Sequence, residues 1–205
     1  MNNKVILKSK EQDCMYKLRD DLSIRLYKIL KTKRPIIFLC IGTDRSTGDS
    51  LGPLVGEKLK SLISDEFIIY GTLENPVHAK NLNEILNEIH NKYTYPYIIA
   101  IDACLGKIDS IGNIIIDNTP ITPGAAMNKK LPEVGDLSIT GIVNVSGALE
   151  FMVLQNTRLY TVMHLANTIA YGIHHSILKT MGSNNMESFN SMFDNELKNL
   201  TTKYK

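Results

Sequence analysis

Asp49 and Asp102 are the two residues of this 205-residue sequence best placed to do chemistry. Asp49 follows the run Ile36-Ile37-Phe38-Leu39-Cys40-Ile41 and a polar turn from Gly42 to Gly48. A continuous apolar run of β-formers reads as a strand buried on both faces. At Leu51 an apolar spacing of helical period begins, with Asp49 or Ser50 positioned to cap the helix and Pro53 tolerated in its first turn. A second buried run, Tyr97-Ile98-Ile99-Ala100-Ile101, ends in Asp102. Parallel sheets keep their chemistry at the carboxyl ends of their strands. Two carboxylates meeting there cannot both ionise cheaply, so together they supply an acid and a base near neutral pH. Such a pair can activate water and protonate a leaving amine, which is amide hydrolysis without a covalent intermediate. Taken singly, Asp49 reads as a helix cap and Asp102 as a loop anchor; their occurrence in the same kind of context favours chemistry.

Other chemistries fail on residue type. A P-loop needs Lys after its second glycine. Here the turn is one residue longer, and Asp49 stands where a phosphate would require the cation. No G-x-G-x-x-G is present in this turn, and no G-x-S-x-G elbow surrounds Ser50. Thr43, Asp44, Arg45 and Ser46 fill the turn with hydrogen-bonding groups, which either contact substrate or satisfy the turn's own backbone. Asp136, after Gly135, is a further candidate for substrate binding, with a capping role as its alternative. Cys14, Cys40 and Cys104 lack metal-type spacing and fit a reduced compartment. Cys104 is a minor candidate nucleophile. Of the five histidines, His78 is the best placed to reach a site at this edge. The spacing offers no clear third ligand, so neither a metal nor another cofactor is expected.

The segments Cys40 to Pro53, Ala100-Ile101-Asp102-Ala103 and Pro123-Gly124-Ala125-Ala126 together resemble the YyaC-type sporulation proteins. That group is similar to the spore germination endopeptidase, an aspartic-type peptidase, and more distantly to hydrogenase maturation endopeptidases, which bind a divalent metal through two acidic residues and a histidine. The resemblance spans about residues 35–181. It implies that Asp49 and Asp102 are the catalytic aspartates, and that the substrate is a protein or peptide, with spore proteins as candidates. The sequence departs from the endopeptidase in carrying Gly48 where that enzyme has proline.

Hydrophobic residues make up 43% of the chain and charged residues 21%, an ordinary globular composition with enough apolar material for a real core. A net charge of +2 gives no nucleic-acid footprint. No segment approaches the roughly 20 apolar residues that span a bilayer, and residues 1–8 lack a signal peptide's apolar stretch. The expectation is a single cytoplasmic domain over 1–205, with no nucleic-acid or membrane partner; a homo-oligomer is compatible with it. Helical spacing predicts helices over 11–32, 51–63, 78–92 and 161–180, with strands at 36–41, 67–70 and 97–102 between them. This alternation argues for a three-layer α/β/α sandwich of hydrolase-like type with a mostly parallel, mixed sheet. The run 112–117 follows a turn so short that an antiparallel strand is expected. Residues 118–137 form a long irregular loop assigned to substrate binding. The run 139–148 leads into a helix through Leu154, residues 158–160 make a short strand or joint, and Gly182-Ser183-Asn184-Asn185 separates a terminal helix, about 186–200, from the one before it.

Overall fold

Strands β2 (Ile36–Cys40), β3 (Ile68–Tyr70) and β4 (Tyr97–Gly106) lie side by side and parallel, as their uninterrupted apolar runs require. The computed structural model describes residues 4–123 and 131–203, the last 21 of these as helical backbone alone. Two more strands, β5 (Asn113–Asp117) and β6 (Leu137–Val145), and a short first strand, β1 (Val5–Lys8), complete a sheet of order β1-β5-β6-β4-β2-β3. The β4–β6 pair is parallel, whereas β5 runs antiparallel to both β6 and β1. The antiparallel strand expected at 112–117 is therefore present, but its neighbour is β6, inserted between it and β4.

Side-chain alternation divides the buried residues between the two faces of the sheet. Ile36, Phe38, Cys40, Ile99 and Ile101 join one core with helices α1 (Cys14–Leu30), α2 (Leu51–Leu62) and α5 (Leu159–Lys203). Ile37, Leu39, Ile98 and Ala100 join a smaller core with helix α3 (Leu82–Lys92). The result is the expected helix–sheet–helix arrangement, with unequal layers.

Four expectations change. Strand β4 does not stop at Asp102 but continues to Gly106, held by β6 after β2 has ended at Cys40. Helix α3 begins at Leu82 rather than 78, because Asn81 ties the preceding turn: its Oδ1 accepts the His78 N–H at 2.8 Å and its Nδ2 donates to the Pro76 carbonyl. Residues 158–160 open α5 instead of forming a strand. Helix α5 runs unbroken from Leu159 to Lys203, since Gly182 only weakens a helix and no proline follows Pro132 to end it. Between β6 and α5 sits one further short helix, α4 (Glu150–Gln155).

Candidate active site

The turn after β2 folds back on itself. Gly42 has φ of +146°, and a Cβ there would strike the Asp49 carbonyl oxygen, so only glycine fits. The Gly42 N–H donates to the Val77 carbonyl at 2.7 Å, and the Thr43 N–H donates to the Asp49 carbonyl at 3.0 Å, closing the turn. Asp49 lies in a single 3₁₀ turn, Gly48–Ser50, that leads into α2. Neither Asp49 nor Ser50 caps that helix through its side chain; the Ser50 hydroxyl donates to the Thr47 carbonyl instead. The capping role expected of Asp49 is therefore absent, and its carboxyl is left to face a cavity.

That cavity, about 460 Å³, opens at the carboxyl edge of the parallel strands. Asp49 and Asp102 both line it, with Gly42, Thr43, Arg45, Ser46, His78 and Lys80 on the polar side. Pro123, Phe151 and Leu154 make the apolar side. Helix α4 is seated against the 3₁₀ turn: a Cβ on Gly48 would collide with Leu154.

The two carboxyls have distinct environments. Part of Asp102 reaches solvent, but its carboxyl is walled in by protein. Burial pushes Asp102 up to about 8; the Ala103 N–H, 2.8 Å from Oδ1, works against this, and the charge of Asp49 adds to the rise. Burial also raises Asp49, opposed by the neighbouring Ser46 hydroxyl, although no hydrogen bond of good geometry reaches Ser46 Oγ. Asp102 is thus the member that keeps a proton near neutrality. The Cys104 thiol, pushed up to about 11 chiefly by burial, is not an activated nucleophile.

The remaining sequence candidates separate. Thr43 lines the cavity, and its hydroxyl accepts the Arg45 N–H at 3.3 Å, so it serves the turn as well. Ser46 lines the cavity too, whereas Asp44 is exposed and is not part of its wall. Asp136 is at the other end of the sheet, where it accepts the Ile98 N–H at 2.9 Å and pairs with Arg34 at 3.3 Å. It stands before a strand parallel to β4, so it falls at the amino edge and not with the aspartates. Of the long loop, Pro123 reaches the cavity; Gly124, Ala125 and Ala126 lie outside the described residues. Arg45, named with the turn's hydrogen-bonding groups, lines the cavity; Lys80, Phe151 and Gln155 enter the wall without any sequence signal beyond their neighbourhood to the turn and to α4.

Residues 6–172 match a protein family described as being of unknown function, DUF1256. The chain belongs to that family. It is 57% identical over 140 residues to the uncharacterized protein YyaC of Bacillus subtilis (strain 168), an overlap of 68% of each chain. Among solved structures it is similar to the NiFe hydrogenase maturation protease HycI of Thermococcus kodakarensis KOD1, at 19% identity and a TM-score of 0.46, over 74% of this chain and 97% of that one. The family match spans every residue of the cavity wall. Among the described residues, no helix is long and apolar enough to cross a membrane.

Proposed function

We propose that this protein hydrolyses peptide bonds, with Asp49 as base and Asp102 as acid on a water molecule between them. One observation carries the reading: the two carboxyls share a cavity, and burial together with the charge of Asp49 holds Asp102 protonated up to about 8. Asp49, the less deeply buried of the two carboxyls, takes a proton from water as the water oxygen adds to the carbonyl carbon. Asp102 Oδ1 is engaged by the Ala103 N–H, so the proton sits on the other oxygen and passes to the leaving nitrogen. The C–N bond then breaks to give an acid and an amine, and exchange with solvent resets the pair.

A protein or peptide suits the wall, which carries the apolar Phe151 and Leu154 as well as the exposed cations Arg45 and Lys80. The resemblance to the spore germination endopeptidase points to spore proteins as the first substrates to try. Asp49, Asp102 and His78 share the cavity, the residue types through which the maturation endopeptidases bind a divalent metal, but among the described residues no three His, Cys, Asp or Glu side chains converge closely enough to hold one. Two aspartates alone supply fewer ligands than a divalent ion takes.

The test is cleavage of a pool of internally quenched peptides and of a spore-protein extract by the purified chain. Asp49→Asn and Asp102→Asn are each expected to lower turnover by about 10²–10⁴-fold while the fold is retained. Activity that survives both substitutions, or no cleavage by the unaltered protein, overturns the reading. Capture of a spore protein that neither substitution disturbs would instead support a binding module on the same fold.

A further inference from the structure

An aspartate pair handles the protons of hydrolysis but leaves one charge unattended. When water adds to the carbonyl carbon, the carbonyl oxygen becomes an oxyanion, and a fixed donor aimed at it is usually a large part of catalysis. Three amides beside the aspartates are already committed: Gly42 N–H to Val77, Thr43 N–H to Asp49 and Ala103 N–H to the Asp102 carboxyl. Arg45 and Lys80 are exposed at the rim, where long cationic side chains are solvated and poorly fixed.

His78 differs from all of these. It lines the aspartate cavity and also a second cavity of about 630 Å³ lined by Tyr70, Asn75 and Asn81. Its Nδ1 is buried with no hydrogen-bond partner, a state that native proteins rarely leave unexplained. Its backbone is held on both sides. Asn81 binds the His78 N–H and the Pro76 carbonyl, and Val77 is bridged to Ile41 and accepts the Gly42 N–H. The same strand end that carries the aspartate turn therefore fixes the backbone of His78 beside it.

We propose that His78 is a third catalytic residue of this site, its imidazole donating a hydrogen bond to the carbonyl oxygen of the bond being cut. The inference rests on the hydrolase reading. As water adds, the carbonyl π pair moves to the oxygen and is met by the His78 N–H. On collapse that pair re-forms the carbonyl, the C–N bond breaks, and the proton from Asp102 goes to nitrogen. His78 neither gains nor loses a proton over the cycle.

The experiment uses the peptide pool that the unaltered chain cleaves, with His78→Ala, His78→Asn and His78→Gln, each followed by a thermal melt. Asn places an amide near the position of Nδ1 and Gln near that of Nε2. His78→Ala is expected to lower kcat about 10²–10³-fold with KM changed less than about threefold, as for loss of one oxyanion donor. One of the two amide variants is expected to recover at least about tenfold of that loss. Turnover in His78→Ala within about threefold of the unaltered chain overturns the donor role, as does a loss that neither amide recovers or one that tracks the melting temperature. Activity removed by a chelator and restored by zinc would make His78 a ligand and also overturn it. Cleavage that needs both aspartates but not His78 defeats this inference alone, whereas no cleavage at all defeats the hydrolase reading beneath it.

Discussion

Asp102 binds its proton far more tightly in the folded chain than in the unfolded one, and that difference is measurable without any substrate. Its usual value of 3.8 rises to about 8, mainly because burial disfavours the charged form. Between those two values the folded state holds a proton that the unfolded state has released, so stability falls as pH rises. The contribution is complete below about 4 and gone above about 8. Melting temperatures from pH 5 to 9 are therefore expected to favour Asp102→Asn over the unaltered chain by a margin that grows with pH and levels off near 8; a margin independent of pH would show that the carboxyl is not held protonated. Both aspartates were legible in the sequence because each follows a buried apolar run, although β4 continues past Asp102 to Gly106. Asp136 was not, because β6 is disguised by Thr140, Gly141 and Asn144, and only its parallel pairing with β4 reveals that the residue before it sits at the opposite edge. His78 could be ranked first among the histidines from sequence, yet its orphaned nitrogen is a fact of packing that no spacing encodes.

At the scale of elements, the site depends on how closely α2 approaches the end of β2. Gly52 is buried, and a Cβ on it would run into the backbone oxygen and nitrogen of Ile41. Two effects compete in Gly52→Ala. Alanine gains at most about 1 kcal/mol of helix propensity, and less in a first turn. Overpacking against backbone that cannot swing aside costs about 1–3 kcal/mol. The clash wins, so urea unfolding should show a net loss of stability, and turnover should fall as Asp49 moves with its helix; an unchanged or higher midpoint would show that α2 can slide. Periodicity locates α1, α2 and the body of α3 well, since each must bury one stripe. It misses β1, whose four residues alternate too briefly to stand out, and it ends α5 too early because Gly182 and three polar residues look like a stop. The start of α3 is set by Asn81 turning its side chain back on residues 76–78, a local hydrogen-bond choice that competes with helix and leaves the apolar stripe unaltered.

Across the whole molecule, the candidate site draws its groups from opposite faces of the sheet. Asp49 leads into α2 and the larger core, whereas His78 follows Val77, which is packed in the smaller core with Ile37, Leu39, Leu82 and Ile89. The sheet edge is where the two sets meet, and the Gly42–Val77 hydrogen bond joins them. A protein built this way should respond differently to damage in its two layers. Leu22 is 1% exposed where α1 packs in the larger core, and Ile89 is 0% exposed in the smaller one. Either change to alanine removes a comparable volume and is expected to cost about 2–5 kcal/mol in chemical unfolding. Their effects on turnover, measured per folded molecule at a temperature where both remain folded, should diverge. Ile89→Ala loosens the layer that holds Val77, and with it the imidazole and the closure of the aspartate turn, so kcat drops. Leu22→Ala lies on a helix that contributes nothing to the cavity wall, so kcat of the folded fraction stays near that of the unaltered chain. Equal kcat values in the two variants would mean that the turn is positioned by α2 alone, and that the smaller core serves stability without aligning the site.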